Sequence, residues 1–279
     1  MSIDKFKEEV GRRERFEFGK NWKQFLSKLN DSRIKAAQLS LEKMIEPYSL
    51  SGKTFLDIGS GSGLSSLAAR NAGAKVVSFD FDDSSVWCTN EMRSRYYPED
   101  ADWTILQGSI LDSDFIGNLG YYDMVYSWGV LHHTGEMWAA IDNAQRLVAK
   151  DGVLFIAIYN DQGLKSHFWW IVKCFYNHLP KLLQKPFAYS MGFVVKFLLL
   201  VKYAVKLKPM LILGPIINYK NDRGMSMLSD MVDWYGGFPF EFAKFDHLVR
   251  YVESKGFRLV NSKRAASLGC HELVFKKKQ

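Results

Sequence analysis

FLDIGSGSGLSSLAAR, residues 55–70, joins a short apolar run to a helical period through a turn that holds glycine at 59, 61 and 63. Such a turn brings a ligand against backbone that lacks Cβ atoms, near the positive end of the following helix. The dinucleotide fingerprint G-x-G-x-x-G requires glycine at position 64, and Leu64 stands there. The pattern is instead D-x-G-x-G-x-G, with Asp57 two residues before the first glycine. A strand-to-helix turn that uses glycine only for tight packing is the plain alternative for this loop taken alone.

The residues after the loop continue the same alternation. AKVVSFDFD, WTILQGS, YYDMVYSW and VLFIAIYN are short runs rich in Val, Ile, Phe and Tyr, separated by the helical periods DSSVWCTNEMRSRYY and EMWAAIDNAQRLVAKDG. Strands alternating with helices predict a parallel sheet with crossover helices, a doubly wound α/β fold. Gly73 and Gly152 are expected at helix ends that need positive φ. Before the first strand, Phe18, Trp22, Phe25, Leu26 and Leu29 recur at helical steps, and Ile34, Leu39, Leu41 and Ile45 continue the period up to Pro47. After the fifth strand the alternation stops. Two apolar helical stretches, HFWWIVKCFYNHL and FVVKFLLLVKYAVKL, precede the turn-rich KNDRGM and DWYGGFPF, and the end reads as helix, strand, loop and strand. The chain thus divides into an N-terminal helical segment or lid (1–50), an α/β core (51–160), a helical cap inserted after the fifth strand (161–240), and a C-terminal helix with a strand hairpin (241–279) that completes the core.

Hydrophobic residues make up 47% of the 279, enough for a sizeable core and against disorder. Cys88, Cys174 and Cys270 are an odd number without short spacings, which argues against a disulfide framework or a zinc site and points to a reducing cytoplasm. The N-terminus alternates charges and has no apolar run, so neither a signal peptide nor an anchor is expected. The formal charge of +7 is concentrated: residues 161–220 carry nine lysines against one acid, Asp161. Arginine, preferred for bidentate recognition of phosphate, does not occur in that segment, so a nucleic-acid partner is not expected.

Asp80 ends the second strand, about twenty residues after the glycines, where a carboxylate can accept both hydroxyls of a ribose. Capping the next helix is its other reading, although Asp82 or Asp83 would serve equally. Phe81 is placed for an adenine face or for the core. Ser109 and the amide of Ile110 stand where an adenine edge can be read. The order DIGSGSG, VVSFDFD, QGSILD, YDMVYSWGVLHHTG, DGVLFIAIYN resembles the class I S-adenosylmethionine-dependent methyltransferases over residues 50–160, and GFRLV and ELVF are similar to their last two strands. The resemblance implies a seven-stranded sheet with one antiparallel strand near an edge, and S-adenosylmethionine as cofactor. It also implies residue roles. Gly59, Gly61 and Gly63 approach the methionine part, while Asp57 with the carbonyl end of Ser127 and Trp128 meets its ammonium. Asp80 holds the ribose, Phe81 and Ile110 flank the adenine, and Ser109 reads its edge. Ser109 stands where many relatives carry aspartate.

Methyl transfer from a sulfonium needs alignment of a nucleophile, and a hydroxyl or amine acceptor also gains from a base. His132 and His133 follow the fourth strand, and one of them is the candidate base; capping the next helix or bonding backbone is the other reading. Adjacent histidines in an extended segment face opposite ways, and no third ligand is near, so no metal is expected. Asn160 and Asp161 lie at the active end by topology, either binding the acceptor or opening the insertion as an Asx turn. Phe18 and Trp22 form a lid over the cofactor or a satellite cluster. In the cap, Phe168, Trp169, Trp170, Phe175 and Tyr176 line an acceptor pocket or form the cap's own core. The lysine-dotted apolar run from Phe193 is too interrupted to cross a bilayer. It fits a lid, a homo-oligomer face or peripheral membrane contact. The expected acceptor is a small molecule or glycan intermediate, methylated on oxygen; the alternatives are a methyltransferase of RNA or protein docked on the lysine-rich insertion and a non-catalytic S-adenosylmethionine-binding protein.

Overall fold

In the computed structural model, which describes residues 3–27, 29–205 and 227–278, the apolar runs form one seven-stranded sheet. Its strands are β1 (Thr54–Ile58), β2 (Lys75–Asp80), β3 (Trp103–Gln107), β4 (Tyr122–Trp128), β5 (Val148–Tyr159), β6 (Phe257–Lys263) and β7 (Cys270–Lys277). The order is β3-β2-β1-β4-β5-β7-β6, with parallel pairing from β3 to β5 and antiparallel pairing of β7 to both neighbours. This is the expected doubly wound sheet with a terminal hairpin. Strand order reverses direction between β1 and β4, so their carboxyl ends frame a crevice where open α/β sheets bind ligands.

The helices are α1 (Ile3–Gly11), α2 (Gly19–Leu26), α3 (Asp31–Ile45), α4 (Leu64–Asn71), α5 (Asp83–Tyr96), α6 (Ser113–Gly117), α7 (Met137–Arg146), α8 (Leu164–His178), α9 (Lys181–Val205), α10 (Met227–Gly236) and α11 (Phe245–Ser254). Strand alternation sends Phe55 to one face of the sheet, among side chains of α3, α4 and α5, and Leu56 to the other, among α6, α7 and α11. Both faces are covered, which is why the central strands read as continuous apolar runs. A third, smaller core joins Val172 and Tyr176 of α8, Ala188 of α9, and Met231 and Tyr235 of α10.

Two local expectations are corrected. The helix before β5 ends at Arg146, and β5 starts at Val148, so Gly152 lies inside a bulged strand. The positive φ falls on Asp151, at 57°, while a Cβ on Gly152 would stand 2.8 Å from Val148 and 3.1 Å from the Asp123 carbonyl. Glycine is there for space. In DWYGGFPF, Asp233–Gly236 finish α10 instead of turning, because Tyr235 is buried against α8 and α9. KNDRGM lies outside the described residues. Helices α1 and α6 are additions to the elements expected from sequence.

Leu67, fully buried between α4 and the sheet, tests the core that holds the glycine turn. Leu67→Ala is expected to cost about 2–5 kcal/mol, read as a lower urea midpoint with unchanged slope.

Candidate functional site

The turn after β1 is built from its backbone upward. Gly59, Gly61 and Gly63 have φ of 76°, 55° and 80°, a region that L side chains avoid. The amides of Gly59 and Ser60 both donate to the Phe79 carbonyl of β2, at 2.8 and 3.1 Å. The Gly61 amide donates to Asp80 Oδ2 at 2.9 Å, and Asp80 Oδ1 accepts from the Asp82 amide at 2.9 Å. One carboxylate therefore ties the glycine turn to the end of β2. Asp82 caps α5 through the Ser84 amide and also accepts from Gly19 at 2.8 Å.

Burial sets the charge balance here. Desolvation pushes the Asp80 carboxyl up to about 7 against the opposing pull of the Asp82 and Gly61 amides, and Asp57 adds to the rise. Asp57, itself 2% exposed, is pushed up to about 6 by burial despite the Ser66 hydroxyl on Oδ2 at 2.5 Å. Ser66 continues to Ser78 at 2.7 Å, and Ser78 accepts from Trp103 Nε1 at 2.9 Å. Two desolvated carboxylates at the strand ends suit a cationic ligand that carries hydroxyls.

The remaining predicted residues surround this turn at different depths. Ser127 is buried, and its hydroxyl donates to the Ile58 carbonyl at 3.1 Å, joining β4 to β1. Trp128 is 49% exposed at the end of β4. Ser109 Oγ accepts the Leu111 amide at 3.2 Å, and a hydroxyl that accepts still has a proton to donate. Ile110 is buried, and its carbonyl accepts from Asn143 at 2.8 Å. Phe81 meets the edge of Phe6 at 5.3 Å and the Arg15 guanidinium at 5.2 Å. Trp22 lies on the glycine turn, so close that a Cβ on Gly61 would come 3.0 Å from its Nε1. Phe18 packs on His133 at 5.0 Å.

His132 and His133 sit on a single 3-10 turn, Leu131–His133, not in an extended segment, and their rings lie 4.5 Å apart. His133 Nδ1 is 2.5 Å from the Pro239 carbonyl, so that nitrogen carries the proton and Nε2 keeps its lone pair. His132 Nδ1 instead accepts the Tyr159 amide at 3.4 Å, which puts its proton on the buried, unpartnered Nε2. Burial lowers His133 to about 3 and His132 well below the usual imidazole range; the Lys173 ammonium adds to both shifts. Both rings are neutral at physiological pH.

Asn160 and Asp161 are occupied elsewhere. Asn160 Nδ2 donates to the Ser267 carbonyl at 3.1 Å, and Asp161 Oδ1 accepts the Gly163 amide at 2.7 Å in an Asx turn that opens the cap. In the cap, Trp169 and Tyr176 join the small core, whereas Phe168, Trp170 and Phe175 are exposed. Sequence reading passed over Arg15, Tyr159 and Lys173. Arg15 donates to the His133 and Thr134 carbonyls at 2.8 and 3.2 Å and pairs with Glu9. The Tyr159 ring packs on His132 at 4.0 Å. Lys173 is fully buried, with its ammonium 4.3 Å from the Trp234 ring and 4.8 Å from Phe240, and it donates to the Trp234 carbonyl. Its helical phase with Trp169 and Tyr176 was the available signal.

Known proteins share this architecture. Residues 56–154 match a family described as a methyltransferase domain. The ubiquinone biosynthesis O-methyltransferase of Actinobacillus pleuropneumoniae serotype 7 (strain AP76) is 29% identical over 139 residues, 47% of this chain and 57% of that protein. The match thus spans a little over half of that relative's length. The fold is similar to magnesium protoporphyrin IX methyltransferase from Synechocystis PCC 6803 with bound SAH, with a TM-score of 0.53 at 15% identity over 88% of this chain and 84% of that one. It is also similar to an O-methyltransferase family protein from Burkholderia thailandensis, with a TM-score of 0.52 at 12% identity over 89% and 58%. The sheet order goes with this likeness in fold, and the Synechocystis protein has been solved with SAH and with SAM bound. Residues 56–154 are thus similar to a methyltransferase domain.

The raised Asp57 gives a sign-checked stability prediction. Its folded-state value of about 6 exceeds the ordinary 3.8, so its favourable contribution is complete below 3.8 and is lost as pH rises through 6. Asp57→Asn keeps an acceptor for Ser66 without the buried charge. The variant is expected to melt above wild type at pH 8 by an amount that shrinks toward pH 4 in a thermal-denaturation series.

Proposed function

We propose that this protein is an S-adenosylmethionine-dependent methyltransferase acting on an oxygen atom of a small molecule or glycan intermediate, with His133 as the proton acceptor. The observation that carries the reading is the left-handed glycine turn held by Asp80 at the switch point of the sheet. The name of the curated relative, an O-methyltransferase, supports the choice of oxygen.

The residues present fit the cofactor. The glycine turn would offer backbone to the methionine part at the edge where Trp22 lies, and Asp57 with the Ser127–Trp128 strand end would offer acceptors to its ammonium. Asp80 takes the ribose hydroxyls, Phe81 and Ile110 the adenine faces, and Ser109 its edge. When bound, S-adenosylmethionine supplies a methyl group already activated on a sulfonium. The chain's own contribution is alignment, which in favourable model systems supplies about 7–11 kcal/mol, and exclusion of water by Phe18 and Trp22. His133 adds a smaller effect by accepting the hydroxyl proton at Nε2 while Pro239 holds Nδ1–H; its lowered proton affinity keeps that effect below the ~100-fold of a well-matched base. His132, with its proton on Nε2, orients the turn. Asn160 and Asp161 frame the acceptor side through their turn and not by direct contact.

Labelled methyl transfer into a cell extract fractionated by size tests the acceptor class; label only in macromolecules would refute a small acceptor. Titration calorimetry tests the cofactor. Asp80→Ala should lose on the order of tenfold to a hundredfold in affinity. Wild-type affinity should fall as pH drops through about 7, since protonated Asp80 no longer accepts two hydroxyls.

The histidines separate by kinetics. His133→Ala is expected to lower kcat by less than about 100-fold with cofactor affinity retained, and the wild-type imidazole should give no inflection in kcat between pH 5 and 8, because it titrates near 3. His132→Ala should lower thermal stability more than kcat. Steady-state rates with melting curves check both.

A further inference from the structure

On α8, Leu164, Phe168, Ile171 and Phe175 recur at steps of four, three and four, which places them in one stripe, and all are more than half exposed, Leu164 to 90%. On the neighbouring α9, Phe193, Phe197 and Val201 recur at steps of four and are 70%, 54% and 45% exposed. The α8–α9 hairpin keeps its own small core on the opposite side, through Val172, Tyr176 and Ala188. Two exposed apolar stripes on one hairpin exceed the scattered apolar residues of an ordinary surface.

Charge identifies the occupant. Lys165, Lys181 and Lys185 are exposed on the same two helices, and residues 162–220 contain no acid. A second copy docked on this face would set lysines against lysines. An anionic lipid surface neutralises them, with lysine stems lying along the apolar layer and ammonium groups at the headgroups. Among the described residues no helix is long and apolar enough to cross a membrane, so the hairpin would lie in the interface plane. We propose that the exposed face of the α8–α9 hairpin docks the protein on anionic membrane surfaces. This inference is independent of methyl transfer, and so is its test.

The test is flotation of the full-length protein with vesicles of phosphatidylcholine alone or of phosphatidylcholine with phosphatidylglycerol. Binding is expected only to the anionic vesicles and should weaken with added salt. Phe193→Glu/Phe197→Glu should lower the bound fraction on the order of tenfold, while a Lys181→Glu/Lys185→Glu variant should lose the preference for anionic lipid. Both pairs are solvent-facing, so melting curves should match wild type. Two results would overturn the proposal. One is no flotation of folded wild-type protein with anionic vesicles. The other is a dimer in sedimentation equilibrium that the phenylalanine variant dissociates without any change in vesicle binding.

Discussion

The hydrogen bond from the Gly61 amide to Asp80 is the constraint on which the site is arranged. Two parallel strands end side by side, and the chain must leave the first of them and start α4 within a few residues. Left-handed backbone makes that possible, and it aims successive amides at β2: Gly59 and Ser60 reach the Phe79 carbonyl, and Gly61 reaches the Asp80 side chain. A Cβ would be strained at each glycine, and at Gly59 it would also collide with Val130, 2.4 Å away, at the foot of the histidine turn. The same carboxylate that fixes the turn is thereby desolvated, which raises its proton affinity. The Gly61 and Asp82 amides engage its two oxygens, and any further hydrogen bond to this carboxylate shares their lone pairs.

Much of this was legible because the governing patterns are local. Short apolar runs alternating with helical periods marked the sheet, and the glycines at alternate positions marked the left-handed turn after β1. Where a tertiary contact decides, local pattern misled. Gly152 looks like a helix terminator, yet its role is to let β5 pass the Asp123 carbonyl, a neighbour distant in sequence. DWYG looks like a turn, yet burial of Tyr235 in the cap outweighs the glycine. The histidine pair was placed correctly along the chain, but its tautomers depend on Pro239 and Tyr159, which no spacing rule connects to it. Asp161 shows the reverse case: its Asx turn is a three-residue event, and it was among the readings open from sequence.

Lysine counting located the basic character but not its division of labour. Lys173 points inward, where aromatic faces and the Trp234 carbonyl receive its ammonium, and its charge reaches the histidines. Lys165, Lys181 and Lys185 point outward. The difference is helical phase: Lys173 falls among the buried residues of α8, opposite the exposed stripe. One residue type thus tunes the proton affinity of the site from inside the cap and sets the charge of its outer surface.

The N-terminal segment ties the histidine turn to the loop that follows α10. Arg15 spans from Glu9 on α1 to the His133 and Thr134 carbonyls and rests on Phe81, so one guanidinium joins the N-terminal segment, the histidine turn and the residue that follows β2. Next to it, the Phe16 amide donates to the Phe238 carbonyl at 3.0 Å, and the Phe16 ring fills the space a Cβ on Gly236 would need. Phe238 leads to Pro239, the partner of His133, and Glu241 accepts the Gly135 and Met137 amides at the start of α7. Lifting Arg15 and Phe16 therefore removes hydrogen-bond partners from the histidine turn and from the cap at once. The N-terminal segment therefore cannot lift at this point without loosening the histidine turn and the loop that holds His133.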